Sequence, residues 1–117
     1  MKPKVVDSSA VAGVQVYPNA PGRVLKRDLV GKLDSAPNFA MRLFEVEPGG
    51  ATEHHNHPWE HEVFIVEGTG ELLTEDGPQA FQSGSAVYVP SNAMHQFQNT
   101  GSAPLRFICV IPNSGDR

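Results

Sequence analysis

The chain is short of cysteine, of clustered positive charge, of long apolar runs and of helical periodicity. Its one cysteine, Cys109, excludes an internal disulfide framework and fits a reducing compartment, so the cytoplasm is the expected location. Nine Lys and Arg stand against thirteen Asp and Glu, a net charge of -4. Only the dispersed KPK and VLKR segments are basic, which argues against a surface able to displace counterions from nucleic-acid phosphates. No segment approaches the roughly 20 apolar residues of a membrane span, and the first twenty residues hold no unbroken apolar run of signal-peptide length. Neither membrane insertion nor export is expected. Nowhere do apolar residues recur at i, i+3, i+4 and i+7 for a dozen positions, so little helix is expected.

What is present instead is a series of short Val-, Ile-, Phe-, Leu- and Tyr-rich segments, each closed by a turn signal. They run RVLKRDLV, FAMRLFEV, EVFIVE, ELLT, QAF, AVYVP, HQFQN and LRFICVIP, and the 11 Gly and 10 Pro punctuate them. At 117 residues the chain is long enough for one core and too short for two. The spacing predicts an all-β, antiparallel sandwich or barrel over residues 23–117. Asp76-Gly77 marks a tight hairpin between Glu71–Glu75 and Gln79–Gln82. Residues 1–22, with Pro3, Pro18 and Pro21, read as an arm packed on a barrel edge or on a partner subunit.

Alternation assigns faces. In FAMRLFEV, Glu45 and Glu47 belong in solvent, which turns Phe44, Val46 and Arg42 inward. For Arg42 two readings stand: a bulge or edge position that lets it snorkel out, or a guanidinium lining a pocket. In LRFICVI, Arg106 points out while Phe107, Cys109 and Ile111 point in; in HQFQN, His95 and Phe97 point in.

The stretch EHHNHPWEHE, residues 53–62, holds four of the five histidines. On an extended segment residues two apart share a face, so His55 and His57 can reach one ion, and His61 can return to it beyond the turn that Pro58 suggests. His95 enters the same interior. Neutral imidazole binds a metal at roughly 2.0–2.2 Å and needs little deprotonation at neutral pH. An H-x-H pair by itself is often incidental, so the surrounding residues must decide. They read Gly49-x5-His55-x-His57-x4-Glu62-x5-Gly68, then Gly84-x5-Pro90-x-Asn92-x2-His95-x3-Asn99. These two segments resemble the paired signature motifs of the cupin superfamily, in order and separated by a short hairpin.

The resemblance implies an antiparallel cupin jelly-roll β-barrel with a metal inside and the motif glycines at tight turns. HPWEHEVFIVEGTG, with APNFAMRLFEVEPGG upstream and FICVIP downstream, is similar to a narrower group, the small single-domain manganese cupins with four histidine ligands from thermophilic bacteria. That likeness spans roughly residues 22–113 and makes His55, His57, His61 and His95 the ligands, with Glu62 not binding. Asn92 stands where the second motif usually has Gly. His54 faces away by parity. Trp59 either walls the pocket mouth or caps the hydrophobic layer, and Cys109 is read as a small pocket-lining residue.

Four neutral nitrogens leave two adjacent positions open on an octahedral ion, a geometry suited to oxygenation, with Trp59, Phe97, Phe107 and Ile111 as a wall selecting a small apolar or aromatic substrate. Related manganese cupins are associated with peroxide-driven alkene cleavage, and other cupins with quercetinase-type and thiol dioxygenase activity. One divalent metal per chain is expected: Mn(II) by resemblance, Fe(II) next, with Cu, Ni or Zn favoured by raw affinity. An oxygenase-like enzyme is the leading reading. The alternatives are a non-catalytic module holding a small carboxylate or sugar through Arg42, and a metal that only staples the barrel. No inward group reads as a general base, which counts against isomerase chemistry. A homodimer is expected from the arm and an exposed sheet edge.

Overall fold

The computed structural model describes residues 2–115. Nine strands follow in order: β1 (Val14–Val16), β2 (Val24–Val30), β3 (Phe39–Val46), β4 (His61–Glu67), β5 (Thr69–Thr74), β6 (Gly77–Gln82), β7 (Ala86–Val89), β8 (Gln96–Asn99) and β9 (Leu105–Pro112). Among the described residues the only helical pieces are 3-10 turns at Ser8–Ala10, Lys32–Asp34 and Asn113–Gly115. None is long and apolar enough to cross a membrane.

All pairings are antiparallel, in a six-stranded sheet of order β1-β2-β3-β9-β4-β7 and a three-stranded sheet of order β6-β5-β8. The two face each other as a jelly-roll barrel. Alternation along β9 is complete: Leu105, Phe107, Cys109 and Ile111 are buried while the residues between them are not. On β3 the inner face carries Ala40, Arg42, Phe44 and Val46, while Glu45 on the outside meets Arg27 at 2.7 Å and Arg106 at 3.3 Å. A row of rings crosses the interior, with centroids 5.2 Å apart for Phe44 and Phe107, 4.6 Å for Phe107 and Phe97, and 6.0 Å for Phe97 and Phe81. Offset aromatic pairs at such spacings add to the area they bury. Buried Asn99 spends its amide on the carbonyls of Val46 and Ala103 and accepts from the Gly101 N–H, each at 2.9 Å, so its burial leaves nothing unpaired.

Local chemistry explains the turns. Gly49, Gly68 and Gly84 have φ of 80°, 100° and 90°. The β5–β6 hairpin forms where the sequence places it, but its loop residues are Glu75 and Asp76, with Thr74 paired to Gly77. Gly77, at φ 102°, follows the turn as the left-handed residue rather than sitting inside it. Asn92 takes φ 66°, the left-handed region that asparagine tolerates better than most residues. That is how it replaces the usual glycine without opening the turn.

The arm contributes β1, which sequence reading left unassigned. Val14–Val16 pair with β2 as Val14↔Lys26, Gln15↔Leu25 and Val16↔Val24, extending the larger sheet at its edge. The next residue, Tyr17, has φ 56° and turns inward.

Candidate metal centre

The histidine-bearing chain between β3 and β4 is not a regular strand. It is tied to the barrel at two points: an isolated bridge at Ala51↔Gln98 and another at His55↔His95. In the second the backbone bonds are reciprocal, 3.1 Å from the His55 N–H to the His95 carbonyl and 2.9 Å in return. Thr52 reinforces the join, its hydroxyl oxygen accepting from the Phe97 N–H at 2.9 Å. The Asn92 N–H donates to the His57 carbonyl, so the left-handed turn of the second motif also fixes the first. His61, the first residue of β4, follows from the strand's alternation: it is buried while Glu62 is exposed.

Three histidines, His55, His57 and His95, are positioned to bind one metal ion, their nitrogens all within 4.8 Å of one another. His55 Nε2 and His57 Nε2 are 3.1 Å apart. His61 stands beside this trio, its ring 4.8 Å from His95 and 5.3 Å from His57, centroid to centroid. Its Nδ1 is buried without a hydrogen-bond partner. His54 is exposed.

The donor set fits a divalent cation. Burial pushes His61 down to about 3 and His55 down to about 4, and neighbouring charges push the same way. Burial also lowers His57 and His95. At neutral pH the four rings are therefore uncharged and offer lone pairs. The His95 Nδ1 lies 2.9 Å from the Ala93 carbonyl. A carbonyl can only accept, so Nδ1 carries the proton and Nε2 is left bare for an ion.

Beneath the histidines lies a small cavity of about 20 Å³, walled by Tyr17, Arg42, Phe44, Thr52, His55, His61, His95, Phe97, Phe107 and Cys109. Arg42 therefore lines a pocket rather than snorkelling out: its guanidinium carbon is 5.2 Å from the Phe44 ring centre and Nη2 is 3.4 Å from Cys109 Sγ. Burial raises the Cys109 thiol, with Arg42 opposing, so the group is a thiol and not a thiolate near neutrality. Ile111 belongs to the core and is not a cavity wall. Trp59 lies flat on His57, centroids 4.4 Å apart and planes 6° from parallel, and a side chain at Gly115 would strike its indole at 2.6 Å. It braces a histidine and is packed under the Asn113–Gly115 turn rather than walling the cavity. A larger groove of about 600 Å³ between β6 and β7 touches the cluster only at His95. The smaller cavity is lined by three of the four histidines, His55, His61 and His95.

Tyr17 is the residue that sequence reading missed. It stacks on Phe44 at 6.3 Å and meets His55 edge-on at 5.9 Å. Burial pushes its hydroxyl up to about 12, so it holds its proton at physiological pH. The signal available was Tyr-Pro-Asn closing a Val-x-Val segment, but a residue before proline favours extended backbone. Its left-handed φ could not be anticipated.

Comparison with known proteins agrees with this geometry. A family model for the cupin domain matches residues 42–111. Protein SchB of Streptomyces halstedii is 31% identical over 69 residues, 58% of this chain and 50% of that protein. The 1-methylthio-D-xylulose 5-phosphate methylsulfurylase of Rhodospirillum rubrum is 30% identical over 77 residues, 66% of this chain and 49% of that enzyme. The chain thus spans about half the length of these two relatives. Among solved structures, the polyketide cyclase RemF from Streptomyces resistomycificus superposes with a TM-score of 0.88 at 31% identity, covering 96% of this chain and 80% of that one. With its signature motifs folded into a jelly roll around inward histidines, the chain belongs to the cupin domain family.

Proposed function

We propose that the chain is a metal-dependent oxidoreductase of the oxygenase type, holding Mn(II), or Fe(II) in its place, through His55, His57, His61 and His95. The observation that carries this reading is the convergence of uncharged imidazoles, with no carboxylate among them, over a cavity walled by Phe44, Phe97 and Phe107. When bound, such an ion supplies Lewis acidity and, if redox-active, a centre at which an oxidant and a substrate meet. The chain's own residues do the rest. The aromatic rings exclude water and favour a small apolar or aromatic substrate. Tyr17 offers a protonated hydroxyl beside His55.

A second reading has its own support. Tyr17 restores the acid–base group whose lack counted against non-redox chemistry, and the likeness to a polyketide cyclase extends over 96% of the chain. On that reading the site closes rings on a carbonyl-bearing substrate, with Tyr17 as proton donor, and a redox-inert ion suffices.

Protein loaded separately with Mn(II), Fe(II) and Zn(II), assayed with tert-butyl hydroperoxide and a styrene-type alkene and followed by electron paramagnetic resonance, separates the two. Peroxide-dependent cleavage confined to the Mn or Fe forms supports the oxygenase. Turnover of a poly-carbonyl substrate by the Zn form, without oxidant, overturns it in favour of the cyclase. Loaded protein inert in both assays leaves the binding module. The expected homodimer is supported by an apolar outer face on the larger sheet, where Phe39, Phe64, Val66 and Tyr88 stand exposed. Monomeric light scattering at micromolar concentration overturns it.

A further inference from the structure

The cavity beneath the histidines is rich in donors and poor in acceptors. Arg42 projects into it from β3, and its Nε is buried with no hydrogen-bond partner. Its one polar contact is the weakly accepting Cys109 sulfur at 3.4 Å. The acid facing it across the β2–β3 ladder is Asp28, which makes its ion pair with Lys26 at 3.5 Å instead. The Tyr17 hydroxyl, on the same cavity, has no hydrogen-bond partner among the described residues. The Thr52 hydroxyl oxygen already accepts from the Phe97 N–H at 2.9 Å, and the bare imidazole nitrogens are acceptors that a bound cation would take.

A part-buried guanidinium without a counter-ion is costly, and a planar fork of donors matches an oxyanion. From this geometry we infer that the site takes a substrate bearing an oxyanion, such as a carboxylate, enolate or phenolate, whose negative oxygen lies against Arg42 and Tyr17. This deepens the reading above, since it takes the histidine cavity as the substrate site. The space of about 20 Å³ holds roughly one water-sized group, so the charged head of the ligand fits and the rest of it extends past the walls. The wall able to yield is Tyr17, carried on the edge of the sheet with a φ of 56° that few residues adopt.

The test compares two probes of one shape, acetate and acetamide, titrated into metal-free and zinc-loaded protein while the backbone amide resonances of Phe107 and Cys109, present in every variant, are followed by nitrogen-15 NMR. Metal content is measured on each sample. Acetate should bind at least about 10-fold more tightly than acetamide in the metal-free protein, as expected of a charged hydrogen bond. Arg42→Gln should abolish that preference, and Tyr17→Phe should weaken acetate binding about 3-fold. Should Arg42→Gln fail to fold, Arg42→Lys, which keeps the charge but loses the fork, should lower the preference without removing it. Equal affinity for the two probes in wild type overturns the inference, as does a preference unchanged in the Arg42 variants. A preference that depends on Arg42 in protein unable to bind zinc upholds it while refuting the metal centre. Stoichiometric zinc with no preference refutes the inference alone.

Discussion

The two ends of the barrel interior are built differently. At one end the walls are continuous ladders: Val24 faces Val46 across β2 and β3, Val46 faces Leu105 across β3 and β9, and all three are sealed from water together with Ile65. At the other end part of the wall is irregular chain, residues 52–60 and 90–95, joined through the His55↔His95 bridge and the hydrogen bond from the Asn92 N–H to the His57 carbonyl. A ladder commits every backbone group to its neighbours and repeats its side chains with period two, and at this end the residues it encloses are apolar. Irregular chain lacks that continuous pairing. It aims His57, His55 and the Asn92 turn at one point, and the polar groups gather there. Sealed apolar residues gather at one end and the inward histidines at the other.

The largest effect should come from the residue that belongs to both ends. Phe107 is sandwiched between Phe44 and Phe97 and also walls the cavity. Phe107→Ala should cost about 3–5 kcal/mol in chemical denaturation and loosen metal binding with it. Next, His95→Ala should weaken divalent-metal binding more than about 100-fold by calorimetry, beyond what loss of a supporting hydrogen bond does. By contrast, Ile65→Val should cost about 0.5–1.5 kcal/mol of stability and leave metal affinity unchanged. If the two substitutions gave the same pattern, the division of labour would fail.

Between pH 6.5 and 4 acid should act on the histidines of the polar end. The His55 and His61 values, about 4 and about 3 in the folded protein, lie below the unfolded value near 6.5. Below pH 6.5 the unfolded chain therefore binds more protons than the folded one. Their contribution is full above pH 6.5, falls as the pH drops towards 4, and levels off below the folded values. Melting temperatures of metal-free protein should decline across that window, and saturating zinc should raise them at each pH without flattening the decline, because it keeps the folded histidines unprotonated while the unfolded chain still takes up protons. At the backbone, Asn92→Ala should cost about 1–2 kcal/mol for its left-handed φ and Asn92→Gly much less, while the smallest effect belongs to the surface, where His54→Ala should alter neither stability nor metal binding measurably.

Period-two alternation made most of the interior legible. Arg106 outside, with Phe107, Cys109 and Ile111 inside, follows from LRFICVI alone, and the inward turn of His95 and Phe97 follows from HQFQN. Histidine spacing located the metal centre because parity survives in extended chain even where no strand forms. What escaped was set by tertiary contact. Val14–Val16 are mostly exposed and too few to show a period, so β1 has no local signature. Trp59 has two readings in sequence because nothing in HPWEHE foretells the Asn113–Gly115 turn that packs over its ring. The exclusion of Ile111 from the cavity follows from the depth of its place on β9, which alternation cannot report.

The three residues of β1 carry a consequence for how quickly the interior exchanges with water. An edge strand held on one side by a single neighbour opens far more often than the ladders of β3 and β9, and such opening proceeds without global unfolding. Tyr17 moves with it. Amide protons of Gln15 and Val16 should therefore exchange orders of magnitude sooner than those of Phe107 and Cys109, and each such opening carries the Tyr17 wall of the cavity with it.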